Sequence, residues 1–102
     1  MKKVLLLCVF LPLKSFAIEC HYDSVEAIQV HKTTVLAYFK KDGVSIWKYI
    51  GPHSNAATSS YQSLLQQAIA TSTPMVLRYL ADDYDCLKTD YNNEPEMLRL
   101  YK

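Results

Sequence analysis

The chain has 102 residues, half of them hydrophobic, with 11 basic and 10 acidic side chains and a net charge of +1. That length holds one small domain and excludes a multidomain architecture. So balanced a charge argues against nucleic-acid binding, whose affinity rests on neutralising phosphates.

Lys2 and Lys3 precede an apolar run at residues 4–13, and Ser15-Phe16-Ala17 puts small residues where a signal peptidase reads. Such a run is too short to cross a bilayer core of about 30 Å as a helix, so no membrane span is expected. Leu7 before Cys8 and Glu19 before Cys20 do not make a lipobox. Residues 1–17 are therefore expected to be a cleaved signal peptide. Residues 18–102 are expected to form a single domain that is secreted or periplasmic. Cleavage removes Lys2, Lys3 and Lys14 from the 11 basic residues and leaves 8 against 10 acidic ones, a mildly acidic product.

Cys20 and Cys86 remain after cleavage. Two thiols in an oxidising compartment, near the two ends of a small chain, most simply form one disulfide. In the chain-entropy picture a loop of that length stabilises by roughly 4 kcal/mol. No CxxC is present and no histidine stands at ligand spacing, so a metal site or a redox pair is the weaker reading.

Residues 24–30 (SVEAIQV) and 33–40 (TTVLAYFK) are rich in β-branched and aromatic side chains, with a break at His31-Lys32. Lys40-Lys41-Asp42-Gly43 reads as a hairpin turn, because Asp-Gly tolerates the positive φ of tight turns. Residues 44–50 (VSIWKYI) alternate: Val44, Ile46, Lys48 and Ile50 share one face, Ser45, Trp47 and Tyr49 the other. These three segments predict an antiparallel meander.

Gly51-Pro52 ends the third strand, and residues 53–57 form a polar loop. Ser59 and Gln62 have capping-box spacing, with Thr58 as a rival cap. Tyr61, Leu64, Leu65, Ala68 and Ile69 then fall on one helical stripe. Thr71-Ser72-Thr73-Pro74 closes the helix, since proline disfavours helical geometry in the residue before it. Residues 75–80 (MVLRYL) predict a fourth strand. Asp82-Asp83-Tyr84-Asp85 is a loop pinned by Cys86, and residues 96–101 (EMLRLY) predict a fifth strand. The order is β-β-β-α-β-β, mainly β with one helix. One helix serving five strands points to a small five-stranded barrel with the helix across one end, an OB-fold.

Several short motifs resemble the B subunit of Shiga toxin. They are Glu19-Cys20 with Val25, Ile28 and Val30; Trp47 ahead of the helix; Tyr61-Gln62-Ser63-Leu64-Leu65; Ala68; Thr71; Pro74-Met75-Val76-Leu77-Arg78; and Cys86. Arg78-Tyr79 after the helix is also similar to the subtilase-type toxin B subunits. The resemblance implies an OB-fold with one disulfide. It further implies a glycan or protein receptor, a homo-oligomer that would be a pentameric ring, and an accompanying A subunit. The chain departs from that family at Gly51-Pro52-His53 and at Tyr91-Asn92-Asn93-Glu94-Pro95, in loops where those toxins hold sugar. Fold carries over further than site.

No catalytic constellation is present: no HExxH, no GxSxG, no phosphate-cradling glycine loop. The chain is read as a non-enzyme without cofactor or metal. His21, His31 and His53 are scattered and each reads as a surface histidine, and Asp82, Asp83 and Asp85 read as a solvated acidic turn, since the glycine and final glutamate of a calcium loop are missing. Eight tyrosines and one tryptophan are many for this length. Aromatic faces stack on the C–H patches of sugars while Asp and Asn hold hydroxyls. The candidate surface is therefore Trp47, Tyr49, His53, Asn55, Asp82, Asp83 and Tyr84. The competing reading packs Trp47 and Tyr49 under the helix. An exported binding module is the leading expectation. The alternative is a periplasmic inhibitor or immunity-type protein that blocks another exported protein.

Overall fold

The structure, a computed structural model, describes residues 17–101. All of the expected signal peptide except Ala17 lies outside the described residues. The elements are β1 (Ala17–Tyr22), β2 (Ser24–Val30), β3 (Thr34–Lys41), β4 (Val44–Pro52), α1 (Ala56–Thr71), β5 (Met75–Leu80) and β6 (Met97–Leu100). They form two antiparallel three-stranded sheets, ordered β1-β5-β6 and β2-β3-β4.

This differs from the expected five-stranded barrel in strand count and in closure. The segment 17–22 is a strand in its own right: Cys20 and Tyr22 are buried while His21 is exposed. The one residue between β1 and β2, Asp23, turns the chain from one sheet into the other, and its amide donates to the Lys40 carbonyl at 2.8 Å. At the far side β4 meets the segment ahead of β6 through a single parallel bridge, Lys48 to Asp90. One bridge does not make a continuous ladder, so among the described residues the sheets do not close into a barrel.

The meander and its turn are as the residues predict. Asp42 and Gly43 both take positive φ, 51° and 80°, and pair Lys41 with Val44. Along β4 Ile46, Lys48 and Ile50 point inward and Trp47 and Tyr49 outward. The helix begins earlier than the Ser59–Gln62 box suggests. Asn55 is the N-cap, its side-chain oxygen accepting the Ala57 amide at 3.0 Å. Gly51 and Pro52, expected to end the strand, are the last two residues of β4; the turn is His53-Ser54, and the extended Asn55 after it satisfies a first-turn amide before Ser59 is reached. Ser72, left-handed with φ 54°, ends the helix by donating its amide back to Ala68 and Ile69. The buried stripe of α1 is centred on Leu65 and Ala68, with Tyr61 and Leu64 partly buried. Ile69, expected on that stripe, is 40 % exposed.

The core lies between the sheets and α1, built from Cys20, Tyr22, Val35, Phe39, Ile50, Leu65, Met75 and Leu77. The rings of Tyr22 and Phe39 pack at a tilt of 30° with centroids 4.6 Å apart, joining the two sheets near the Asp23 corner. Cys20 and Cys86 form a disulfide across a sequence separation of 66. Such a bond belongs to an oxidising compartment. It ties the long segment between β5 and β6 to β1. No helix among the described residues is long and apolar enough to cross a membrane.

Candidate functional site

The segment between β5 and β6 is held to the body by a lysine in the interior. Lys48 occupies an inward position of β4 between Ile46 and Ile50 and is 0 % exposed. Its ammonium donates to the Lys88 carbonyl at 2.6 Å, to the Tyr84 hydroxyl at 2.8 Å and to the Asp85 carbonyl at 3.3 Å. It also lies 4.4 Å from the centroid of the Tyr84 ring, a cation–π distance. Burying an ammonium is costly unless its protons find acceptors, and here three do. Burial lowers its pKa to about 8, with Asp90 and Asp85 pulling the other way.

Tyr84 extends the network. Its ring stacks on Tyr79, centroids 3.8 Å apart and planes 15° from parallel. Its hydroxyl accepts from Lys48 and donates to Asp90 Oδ2 at 2.6 Å. Burial first, and then the bond to Asp90, push that hydroxyl well above the ordinary tyrosine range. Burial alone would raise the Asp90 carboxyl. The Tyr84 hydroxyl, the Asn92 amide and the amide and side chain of Asn93 outweigh it and hold the group below its usual value. Asp90 also pairs by main chain along β4, accepting from the Tyr49 amide at 2.8 Å and donating to the Trp47 carbonyl at 3.0 Å. The otherwise unpaired edge of β4 is thereby covered.

Further ties fix this segment. The Tyr22 hydroxyl donates to the Cys86 carbonyl at 2.7 Å, beside the disulfide. Asn55 reaches from the helix cap to Glu94 Oε1 at 3.0 Å, and the Tyr61 hydroxyl donates to the Glu96 carbonyl at 2.9 Å. Arg78 on β5 lies 3.6 Å from Glu96 and 2.7 Å from Glu19, which also meets Arg99 at 2.9 Å. The bond from Arg78, and then that from Arg99, lower the Glu19 carboxyl.

Between the end of β5 and this pinned segment lies a cleft of about 590 Å³. Its walls carry Tyr79, Tyr84 and Tyr91, the carboxamides of Asn92 and Asn93, and five carboxylates: Asp83, Asp85, Asp90, Glu94 and Glu96. Among the described residues Lys88 is the one basic residue lining it. Leu80 and Tyr91 stand at its wall strongly exposed, 73 % and 54 %.

The fold divides the residues expected to form one surface. Asp83 and Tyr84 line the cleft. Asn55 caps α1 and grips the cleft wall through Glu94. Trp47 and Tyr49 hold the Asp90 segment by main chain, but their rings lie on the outer face of the β2-β3-β4 sheet, where Trp47 stacks on Tyr38 at 4.6 Å. They do not pack under the helix, which covers the opposite, inward face. Both are half-buried. His53 is fastened elsewhere, its Nε2 donating to the His31 carbonyl at 2.8 Å. Asp82 is exposed in the turn and does not line the cleft.

Lys48, Tyr79, Asp90 and Glu94 were not singled out from sequence. A signal for Lys48 existed: a lysine sharing the strand face of Ile46 and Ile50 is either solvated on a polar face or buried with partners. Asp90 had no comparable signal, because its role comes from lying against β4. Among the described residues no three His, Cys, Asp or Glu side chains converge to hold a metal ion. What the cleft can do chemically is present rings and oxygen acceptors to hydroxyl, amide or ammonium groups.

Compared with protein-family models, curated proteins and solved structures, the chain matches none.

Proposed function

We propose that this chain is an exported, non-catalytic binding module of the OB type, similar to toxin B subunits, and that its cleft holds a glycan. The observation that carries the reading is the cleft itself. It combines aromatic rings with carboxylates and carboxamides in a volume of about 590 Å³, the mixture that grips a sugar's C–H face and its hydroxyls. The walls are held in place before any ligand arrives, by Lys48, the disulfide and Asn55, which lowers the entropy lost on binding. The OB assignment draws support from β1 and β2 running on through Asp23, from the helix between β4 and β5, and from the parallel bridge of Lys48 to Asp90. A glycan array read with the wild type and with Asn92→Ala tests the binding. Light scattering on a sizing column tests the ring: a monomer that binds no glycan removes this reading.

A second reading draws on Leu80 and Tyr91. Two large side chains so exposed beside a cleft suit a protein partner as well, as in an inhibitor or immunity-type protein that blocks another exported protein. Affinity capture from a periplasmic extract separates the two. An inhibitor retains one stoichiometric protein that added sugar does not displace.

A further inference from the structure

We propose that residues 87–94 are a flap that opens and closes as one unit between two fixed ends, Cys86 and Pro95, and that its closed form completes the cleft. The inference goes beyond the glycan reading and does not depend on it. Cys86 is tied to the buried Cys20 by the disulfide, and its carbonyl accepts from the Tyr22 hydroxyl. Pro95 is buried, and Glu96 after it donates its amide to the Arg78 carbonyl at 2.7 Å. Between those anchors Asp90 is half-buried and the other seven residues are exposed. Among the described residues the apolar core includes none of these eight, and none packs against it. A segment with so little buried apolar contact opens at a lower free energy than the sheets beneath it.

The ties of the flap to the body are polar. The Lys48 ammonium donates to the Lys88 carbonyl, the Trp47 amide to the Thr89 hydroxyl, and the Tyr84 hydroxyl to Asp90. Main-chain bonds join Asp90 to Trp47 and Tyr49, and Asn55 donates to Glu94. Asp90 also makes the flap one body, because its Oδ1 accepts the amides of Asn92 and Asn93 and its Oδ2 the Asn93 carboxamide. Opening takes one acceptor from Lys48. The Tyr84 hydroxyl and the Asp85 carbonyl lie outside the flap and stay with it, so the buried charge is not stranded. Every flap residue except Leu87 lines the cleft. The closed form is the resting one and keeps the site preformed; the open form lacks that wall. Whatever touches the wall binds the closed form alone and holds it shut.

Native-state hydrogen exchange on the disulfide-bonded protein reads the opening through three amides, those of Trp47, Tyr49 and Asp90, whose bonds cross between β4 and the flap. They are expected to exchange through one shared opening. Corrected for intrinsic rates, that exchange should be about a hundredfold or more faster than at the amides of the central strands β3 and β5. Urea up to about 1 M should leave the flap opening unchanged, since little surface is exposed, while it speeds exchange in β3 and β5. Glu94→Ala removes the partner of Asn55, which still caps α1. That variant is expected to raise all three rates together by about threefold or more, although residue 94 bonds to none of those amides. Three unrelated protection levels, a urea response matching that of β3 and β5, or no change in Glu94→Ala overturns the inference. The edge would then fray residue by residue, or part only when the whole domain unfolds. Glycan binding by a protein whose flap fails these tests leaves the binding reading standing.

Discussion

Lys48 donates to the Tyr84 hydroxyl at 2.8 Å from a position with no solvent exposure. That bond couples the inward face of β4 to the loop forming the cleft, so the shape of a surface site is set by a charge inside the fold. A buried charge that loses its partners is expensive, and partners that lose the charge are left unpaired in turn.

Replacing Lys48 by methionine keeps the volume and removes the donor. The carbonyls of Asp85 and Lys88 lose their partner, so Lys48→Met is expected to destabilise the protein by about 2–3 kcal/mol in urea unfolding. Hydrogen exchange should quicken across residues 81–96 well before it quickens in β5. Unchanged protection there would mean that the lysine does not hold the loop.

The same residue sets an alkaline stability profile. Its pKa is about 8 when folded and 10.5 ordinarily, so between those values the unfolded chain binds a proton that the folded one does not. Stability should therefore rise with pH across that window. Tyr22, Tyr79 and Tyr84 act oppositely. Burial raises all three above the ordinary 10.0, so the stability they contribute is complete below that pH and is lost above it as the unfolded tyrosines ionise. Urea midpoints at constant ionic strength should peak near about pH 9–10, and Lys48→Met should flatten the rise while leaving the alkaline fall.

The disulfide closes a loop with a sequence separation of 66. Cys20→Ser with Cys86→Ser is expected to cost about 4 kcal/mol by loop entropy, read as a lowered melting temperature. Lys48 and Tyr84 still hold the segment in that variant, so the proposed glycan binding, corrected for the folded fraction, should weaken less than in Lys48→Met.

Gly51 touches the first turn of α1. A Cβ there would overlap the Thr58 hydroxyl, which is itself buried without a partner. Gly51→Ala is expected to destabilise by about 1–3 kcal/mol, as overpacking does. Adding Thr58→Ala removes the obstructing hydroxyl and should recover part of the loss, the remainder being the strain of an alanine at φ 156°. A double-mutant cycle in urea with no coupling between the two sites would refute the contact.

The period-two alternation of residues 44–50 and the Asp42-Gly43 turn made the meander legible, because both are local properties. The strand at 17–22 was equally written in alternation, with Cys20 and Tyr22 inward and His21 outward, but adjoining the expected cleavage site it was not read as a strand. The helix start was misread for a related reason. Ser59 and Gln62 have the spacing of a capping box, yet Asn55 lies four residues nearer the turn and satisfies the first amides. Trp47 and Tyr49 were correctly set on one face of β4. Which face met the helix depended on where α1 packs.

The β2-β3-β4 meander ahead of one helix, the pairing of Cys20 with Cys86 and the alternation of β4 follow from residue types and spacings, since propensity, periodicity and loop closure act over short stretches or through unique partners. Where the cleft lies, that Lys48 is its peg and that Asp90 completes the edge of β4 were decided only by the folded chain. Those roles depend on which groups far apart in sequence share a desolvated space, and burial of that kind has no local signature.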